Sequence, residues 1–108
     1  MTLNEYQQLA QRTARHDMCK ADHVFNGVLG LSGEAGECAD LVKKKYYQDG
    51  RDIYLKLLEE LGDVMWYTAE LAAGMGWTLE EVAQANIEKL RARYPEGFSA
   101  DRSLHREE

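Results

Sequence analysis

Apolar residues recur along most of the chain at the three- and four-residue spacing of amphipathic helices. This pattern predicts four helices, over about residues 3–15, 24–47, 52–73 and 79–94. The polar residues 16–23 are interpreted as a loop between the first two helices. We therefore predict an all-α bundle of four or five helices in a single domain, residues 1–108. Its core would span about 24–94, and residues 95–108 would form an exposed tail.

Two helix starts carry a recognisable capping pattern. Thr2 with Glu5, and Thr78 with Glu81, place a hydroxyl and a carboxylate three residues apart, as in a capping box. Pro95 prevents the last predicted helix from continuing, because proline lacks the backbone N–H and clashes with the preceding turn.

The second predicted helix contains a glycine at every third position from Gly27 through Gly30 and Gly33 to Gly36. Glycine inside a helix costs about 1 kcal/mol relative to alanine, so a run of four needs a reason. Glycines remove side-chain bulk, which permits close approach of a neighbouring helix or of a ligand.

Two pairs of acids follow the same helical spacing: Glu34 with Glu37, and Glu60 with Asp63. At about 100° per residue, the first acid of each pair lies roughly 80–90° from the centre of its helix's apolar stripe, and the second roughly 140–150° to the same side. The predicted stripes are Val28, Leu31, Ala35, Cys38 and Val42 on the second helix, and Tyr54, Leu57, Leu58, Leu61, Met65, Thr68 and Ala72 on the third. Glu59 points away from its stripe and is interpreted as solvated.

Unpaired carboxylates at the edge of a core repel one another and resist desolvation, so the arrangement favours a cation among them. An all-carboxylate set without cysteine or histidine suits a hard divalent ion, Mg²⁺ or Mn²⁺. The alternative is that these are four of the nineteen acids of an acidic protein, on ordinary wet helix faces.

The fourth predicted helix places Asn86 at the centre of its apolar stripe, where an unpaired amide would be costly. Lys89 and Arg93 follow on the same side. The three side chains could together contact a polyphosphate that metal ions hold on its other side. Alternatively, Asn86 bonds to a neighbouring backbone while the two cations extend to water.

Composition narrows the classes of function. A net charge of −6 argues against binding a nucleic acid polymer, which would need a basic surface. Cys19 and Cys38 have no metal-ligand spacing. No apolar run approaches membrane-spanning length and no apolar segment follows Met1, so we expect a cytoplasmic protein without membrane contact.

The acid pairs, together with the downstream segments Asn86-Ile87-Glu88-Lys89-Leu90 and Arg93-Tyr94-Pro95, resemble the MazG-like all-α nucleoside triphosphate pyrophosphohydrolases. The resemblance covers roughly residues 25–98 and is closest to the short, single-domain members. It implies Mg²⁺-dependent hydrolysis of ribo- or deoxyribonucleoside triphosphates to monophosphate and pyrophosphate, with a metal-activated water as nucleophile. It also implies assembly as a homodimer or a tetramer.

Carried over by position, the resemblance makes Glu34, Glu37, Glu60 and Asp63 the metal ligands. The downstream polar residues would contact phosphates, with Lys44 as a further candidate; this substrate-binding set is Asn86, Lys89, Arg93 and Lys44. Glu37 could also accept the proton of the attacking water.

Two other readings use the same residues. Di-iron bundles also place acids on facing helices, but they need Glu-x-x-His motifs, and His16, His23 and His105 lie outside the acid pairs. A helical oligomer that binds a nucleotide or a protein without turnover would use Trp66, Trp77 and Tyr67 as interface anchors. The alternative for these aromatic residues is packing in the core, which is favoured more for Trp66 than for Trp77.

Overall fold

Helices form nearly all of the regular structure of this chain, of which a computed structural model describes residues 1–105. The elements are α1 (Leu3–Gln11), α2 (Lys20–Lys44), a π-helical turn (Lys45–Asp49), α3 (Tyr54–Met75), α4 (Leu79–Arg93) and α5 (Ala100–Leu104). Within residues 1–105 there is no strand, only an isolated bridge between Pro95 and Gly97. The predicted all-α fold of four or five helices is confirmed. No helix in this described range is long and apolar enough to cross a membrane.

The connection between the first two helices differs from the prediction. α1 ends at Gln11 rather than near residue 15, and α2 begins at Lys20 rather than near residue 24. The chain leaves α1 because the backbone N–H and the hydroxyl of Thr13 both donate to the carbonyl of Ala10, at 3.0 and 2.6 Å, which closes a tight turn.

The segment predicted as an exposed tail contains the short helix α5, which the hydrophobic pattern did not indicate. The hydroxyl of Ser99 caps it by accepting a hydrogen bond from the backbone N–H of Arg102 at 3.3 Å. Most described side chains of this segment are exposed. Its last three residues, 106–108, lie outside the described part of the chain.

α2 and α3 share the most extensive interface, and two of the four glycines allow it. A Cβ at Gly27 would lie 2.8 Å from the Cα of Leu71, and a Cβ at Gly30 would lie 2.2 Å from the ring of Tyr67. The predicted close approach is therefore confirmed for these two glycines. A Cβ on Gly33 or Gly36 would meet no atom of the described residues within 4 Å, so these two glycines do not serve packing between the described helices.

The row of α3 residues that packs towards α2 is not the stripe that the sequence predicted. Its half-buried or buried members recur at alternating spacings of three and four, the pattern of a helix–helix seam. They are Leu57, Glu60, Val64, Tyr67, Leu71 and Gly74. Much of the predicted stripe is exposed instead, including Leu58 (64%), Leu61 (55%) and, on α2, Val28 (47%). That apolar face has no partner within residues 1–105, whereas the seam holds three glycines, Gly27, Gly30 and Gly74, and the half-buried acids Glu34 and Glu60.

The hydrophobic core is small and lies where α1 meets α3 and the start of α4. Its buried members are Ala10, Ala69, Ala72 and Leu79, with Tyr6 and Trp66 packed against them. The buried Gln7 fixes this junction: its side-chain oxygen accepts from the N–H of Leu79 at 2.9 Å and its amide donates to the carbonyl of Trp77 at 3.0 Å. The junction orients α1 across α3 beside the acidic seam.

Candidate metal centre and its cleft

Three of the four predicted acids meet across the α2–α3 seam. One carboxylate oxygen from each of Glu34, Glu60 and Asp63 lies within 4.8 Å of the other two. Glu34 and Glu60 occupy seam positions on facing helices, and Asp63 follows Glu60 by one turn at the more exposed side. Both first-position acids are half-buried, as expected at the edge of a packed face.

Repulsion within this cluster is expressed in the pKa of Glu34. Its pKa rises from 4.5 to about 7, first because of a hydrogen bond with the Glu60 carboxyl, then because of burial and repulsion from Glu60, Asp63 and Glu37. A hydrogen bond between two carboxyl groups requires a proton on one of them, so this contact favours the protonated form of Glu34. Glu34 Oε2 is shielded from solvent and has no hydrogen-bond partner.

Glu59 and Glu60 are adjacent in sequence but point in directions about 100° apart on α3. Glu60 therefore faces the seam, whereas Glu59 faces solvent. The Glu60 side chain is 12% exposed and has Lys56 Nζ at 3.5 Å from Oε1. Glu59 is exposed, as predicted, and contacts the same lysine at 3.5 Å on the surface of α3. The pair therefore offers a matched comparison of an acid inside the cluster with one outside it.

An aromatic wall borders the acids. Glu34, Asp63, Trp66 and Tyr67 line an open cleft of about 340 Å³. The two rings meet edge to face, with centroids 5.1 Å apart and planes at 82°. Trp66 is partly buried against the core, as the core-packing interpretation expects, but it also faces this cleft.

The remaining candidates lie outside the acid cluster. Glu37 is exposed one turn beyond Glu34 and is not among the three clustered acids, although its charge adds to the raised pKa of Glu34. Lys44 Nζ is half-buried and pairs with Asp40 Oδ2 at 2.7 Å on α2. The structure therefore gives Lys44 a partner of its own at the far end of the helix.

The α4 candidates are placed differently from the prediction. Asn86 is exposed, not buried, because α4 contacts the rest of the chain mainly through its first turns. It borders an apolar groove of about 300 Å³ between α1, α3 and α4. Lys89 is exposed, and Arg93 is half-buried with Nε and Nη2 shielded and without hydrogen-bond partners. Neither these cations nor Asn86 line the acidic cleft.

Sequence reasoning missed the most deeply buried acid, Glu70 on α3, which has no exposed surface. Its Oε1 lies 2.6 Å from His23 Nδ1, and its Oε2 accepts from Asn26 Nδ2 at 3.1 Å. Its position could have been read from the pattern, since it follows Asp63 by seven residues and so lies on the same side of α3. Placing His23 in a loop concealed its partner; α2 in fact begins before it.

The donor set of the cluster fits a hard divalent cation. All three groups offer carboxylate oxygens, and one of these, Glu34 Oε2, is buried and unpartnered. Mg²⁺ and Mn²⁺ take oxygen ligands, and Mg²⁺ is commonly held by a few carboxylates together with substrate phosphates. An open cleft beside the acids leaves room for such a substrate.

An all-helical domain with carboxylates from two packed helices beside an open cleft defines a class of helical proteins suited to binding a divalent metal. Comparison with known proteins identifies the family within that class. The sequence profile of the MazG nucleotide pyrophosphohydrolase domain matches residues 22–98, and the chain belongs to this family.

One relative adds to this comparison. The "Gene 37 protein" of Mycobacterium phage L5 is 45% identical over 76 residues, a match that covers 64% of this chain and 64% of the phage protein. No solved structure matches the chain. The all-α fold and the matched segment therefore agree on the MazG domain.

Proposed function

We propose that this protein hydrolyses nucleoside triphosphates to nucleoside monophosphate and pyrophosphate at the acidic cleft, with Mg²⁺ as the metal. The observation that carries the proposal is the convergence of Glu34, Glu60 and Asp63, one of whose oxygens is buried without a partner, inside a MazG nucleotide pyrophosphohydrolase domain. Mn²⁺ would be accepted by the same oxygen ligands.

Glu34, Glu60 and Asp63 would hold the metal, with Glu37 completing the ligand set or accepting a proton from the attacking water. Mg²⁺ bound there would neutralise phosphate charge, polarise the phosphorus under attack and lower the pKa of a water molecule. Glu37 suits the proton-accepting role because it is exposed and one turn from the cluster, so water can reach it.

The substrate's phosphates would contact Asn86, Lys89, Arg93 and Lys44. Lys89 and Arg93 would stabilise the charge that develops on the departing pyrophosphate. Since the cleft of one chain contains none of the α4 residues, we propose that α4 of a second copy supplies them in a homodimer or a tetramer. The unpaired apolar face of α2 and α3 supports such an assembly.

The test compares neighbouring acids of α3. Pyrophosphate release from a panel of ribo- and deoxyribonucleoside triphosphates is measured with Mg²⁺ for the native protein, Glu60→Gln and Glu59→Gln. We expect Glu60→Gln to lose at least a hundredfold in kcat/KM, because a buried ligand of the metal is replaced by a neutral amide, whereas Glu59→Gln retains activity.

Three further measurements complete the comparison. EDTA should abolish activity and added Mg²⁺ should restore it. Glu37→Gln should lower kcat while leaving Mg²⁺ binding measurable by calorimetry if it accepts a proton. Equal loss in Glu59→Gln and Glu60→Gln, or release of orthophosphate alone, would contradict the proposal.

A further inference from the structure

The side chain of Trp66 connects the acidic cleft to α1. Trp66 follows Asp63 by three residues on α3 and forms part of the cleft wall. Its indole N–H donates to Thr13 Oγ1 at 2.8 Å and to the carbonyl of Ala10 at 3.2 Å. Both acceptors belong to the end of α1 and the turn that follows it, so contacts outside the cleft set the orientation of the indole.

The acceptor at Thr13 is itself held in place. The Thr13 hydroxyl donates its one proton to the carbonyl of Ala10 at 2.6 Å, which directs its lone pairs towards other donors. The backbone N–H of Thr13 donates to the same carbonyl at 3.0 Å. The indole of Trp66 therefore meets a hydroxyl that already donates its proton to Ala10, on a residue whose backbone is bonded to the same carbonyl.

The second ring of the wall is supported from the other side. Tyr67 lies against Gly30 of α2, where any Cβ would come within 2.2 Å of its ring, and it contacts the edge of Trp66. The two rings are thus held by different helices, Tyr67 by α2 and Trp66 by α1. Removing the hydrogen bond to Thr13 would therefore loosen the orientation of the Trp66 ring and leave that of Tyr67 unchanged.

We propose that the end of α1, through the Thr13 hydroxyl, positions Trp66 for binding of the nucleotide in the acidic cleft. This inference rests on the proposed function. α1 lies outside the segment that matches the MazG domain, residues 22–98. Thr13 acts through Trp66 and is a positioning residue, not a catalytic one.

The test removes the hydroxyl at nearly constant volume with Thr13→Val and restores it with Thr13→Ser. The matched control is Thr68→Val, which removes a hydroxyl that, within residues 1–105, bonds to the Val64 carbonyl of its own helix alone, at 2.8 Å. We expect Thr13→Val to raise KM about three- to tenfold, the range for one lost hydrogen bond, with kcat changed less than twofold. Thr13→Ser should restore KM, and Thr68→Val should leave both constants unchanged.

A fluorescence measurement separates this inference from the proposed function. With Trp77→Phe in the background, Trp66 is the only tryptophan. Its acrylamide quenching should rise in Thr13→Val and return to the native value in Thr13→Ser. Binding of α,β-methylene deoxynucleoside triphosphates, followed by the same emission, should weaken by the factor seen in KM.

Each result supports or overturns the inference. Unchanged KM and unchanged analogue binding in a folded Thr13→Val protein overturn it. If the native protein shows no turnover, the proposed hydrolysis fails, and the analogue titration decides about Thr13: weaker binding in Thr13→Val supports positioning. Equal binding by both proteins, or no binding by either, overturns it.

Discussion

A carboxyl group that lies beside two others is stabilised either by a proton or by a bound cation. Glu34 is such a group in this protein. It lies in the seam between two helices, where water cannot fully screen its charge. The negative charges of Glu60 and Asp63 repel it. The hydrogen bond with Glu60, burial and the neighbouring charges raise the pKa of Glu34 to about 7, which favours its protonated form below neutral pH. Because a carboxylate must lose its proton to bind a metal, we expect metal binding at Glu34 to compete with this proton.

The stability of the metal-free protein should consequently fall as pH rises. Because the pKa of Glu34 is about 7 in the folded chain against an ordinary value of 4.5, the folded state binds more protons between these values. The resulting stabilisation is complete below the lower value and is lost as pH rises through the upper one. In EDTA, we expect the native Tm to fall, relative to Glu34→Gln, from about pH 5 to about pH 8.

Two controls accompany this melting experiment. Mg²⁺ should raise the native Tm at about pH 8, where Glu34 has lost its proton, and should have little effect on Glu34→Gln. Glu59→Gln should keep the native pH dependence, since Glu59 lies on the exposed surface of α3. A Glu34→Gln protein whose Tm follows the native curve at every pH would contradict the role assigned to Glu34.

Glu70 should matter for stability rather than for metal binding. Glu70→Ala leaves His23 and Asn26 without their buried partner, and leaving a buried hydrogen-bonding group unpaired costs about 1–3 kcal/mol of unfolding free energy. Urea denaturation measures this loss. Glu88→Ala, at an exposed site on α4, should change the same free energy by less than about 0.5 kcal/mol. A loss below about 1 kcal/mol in Glu70→Ala would contradict the importance of this contact.

At the scale of the helix, the glycine repeat divides into two halves with opposite predicted effects. Gly27→Ala places a Cβ 2.8 Å from the backbone of Leu71, which cannot move without shifting α3, so we expect a net loss of about 1–2 kcal/mol. Gly36→Ala places its Cβ in open space, and relief of the helix cost of glycine should stabilise the chain by about 0.5–1 kcal/mol. Chemical denaturation of the two variants checks both signs; equal effects would contradict this division.

The helices themselves could be predicted because their signals are local. Both capping boxes form as read, with Thr2 accepting from Glu5 and Thr78 from Glu81. α5 was missed because five residues are too few to show a period. The acid pairs could likewise be predicted from spacing, since three residues apart in a helix means one side of it.

Which face of each helix is buried could not be predicted from one sequence. The hydrophobic pattern marks the face that leaves water, and it does not say whether a neighbour in the same chain or another molecule covers it. Leu58 and Leu61 belong to such a face and are exposed in the single chain, whereas the seam buries Glu60. Asn86 was misplaced for the same reason, because its stripe also lacks a cover within the described residues.

For the molecule as a whole, the small core and the large apolar face have one explanation. A chain of 108 residues buries a modest fraction of its surface, and this one leaves Phe25 and Leu29 of α2 at 66% and 72% exposure and Leu58 and Leu61 of α3 at 64% and 55%. Exposed apolar patches of this kind are typical of protein–protein interfaces. The proposed dimer or tetramer would cover this face and bring a second α4 to the cleft.

A single charge in the apolar face should therefore separate the subunits. We expect Leu58→Asp to shift the molar mass in light scattering from that of a dimer or tetramer towards that of the 12.3 kDa chain, because an aspartate buried at an interface lacks a partner. Leu9→Asp on α1, a leucine of comparable exposure at 53%, is the matched control and should keep the native mass. If α4 of a second copy supplies phosphate contacts, Leu58→Asp should also raise KM for the nucleotide while Mg²⁺ binding at the three acids persists. A monomeric native protein with full activity would refute both the assembly and the shared cleft.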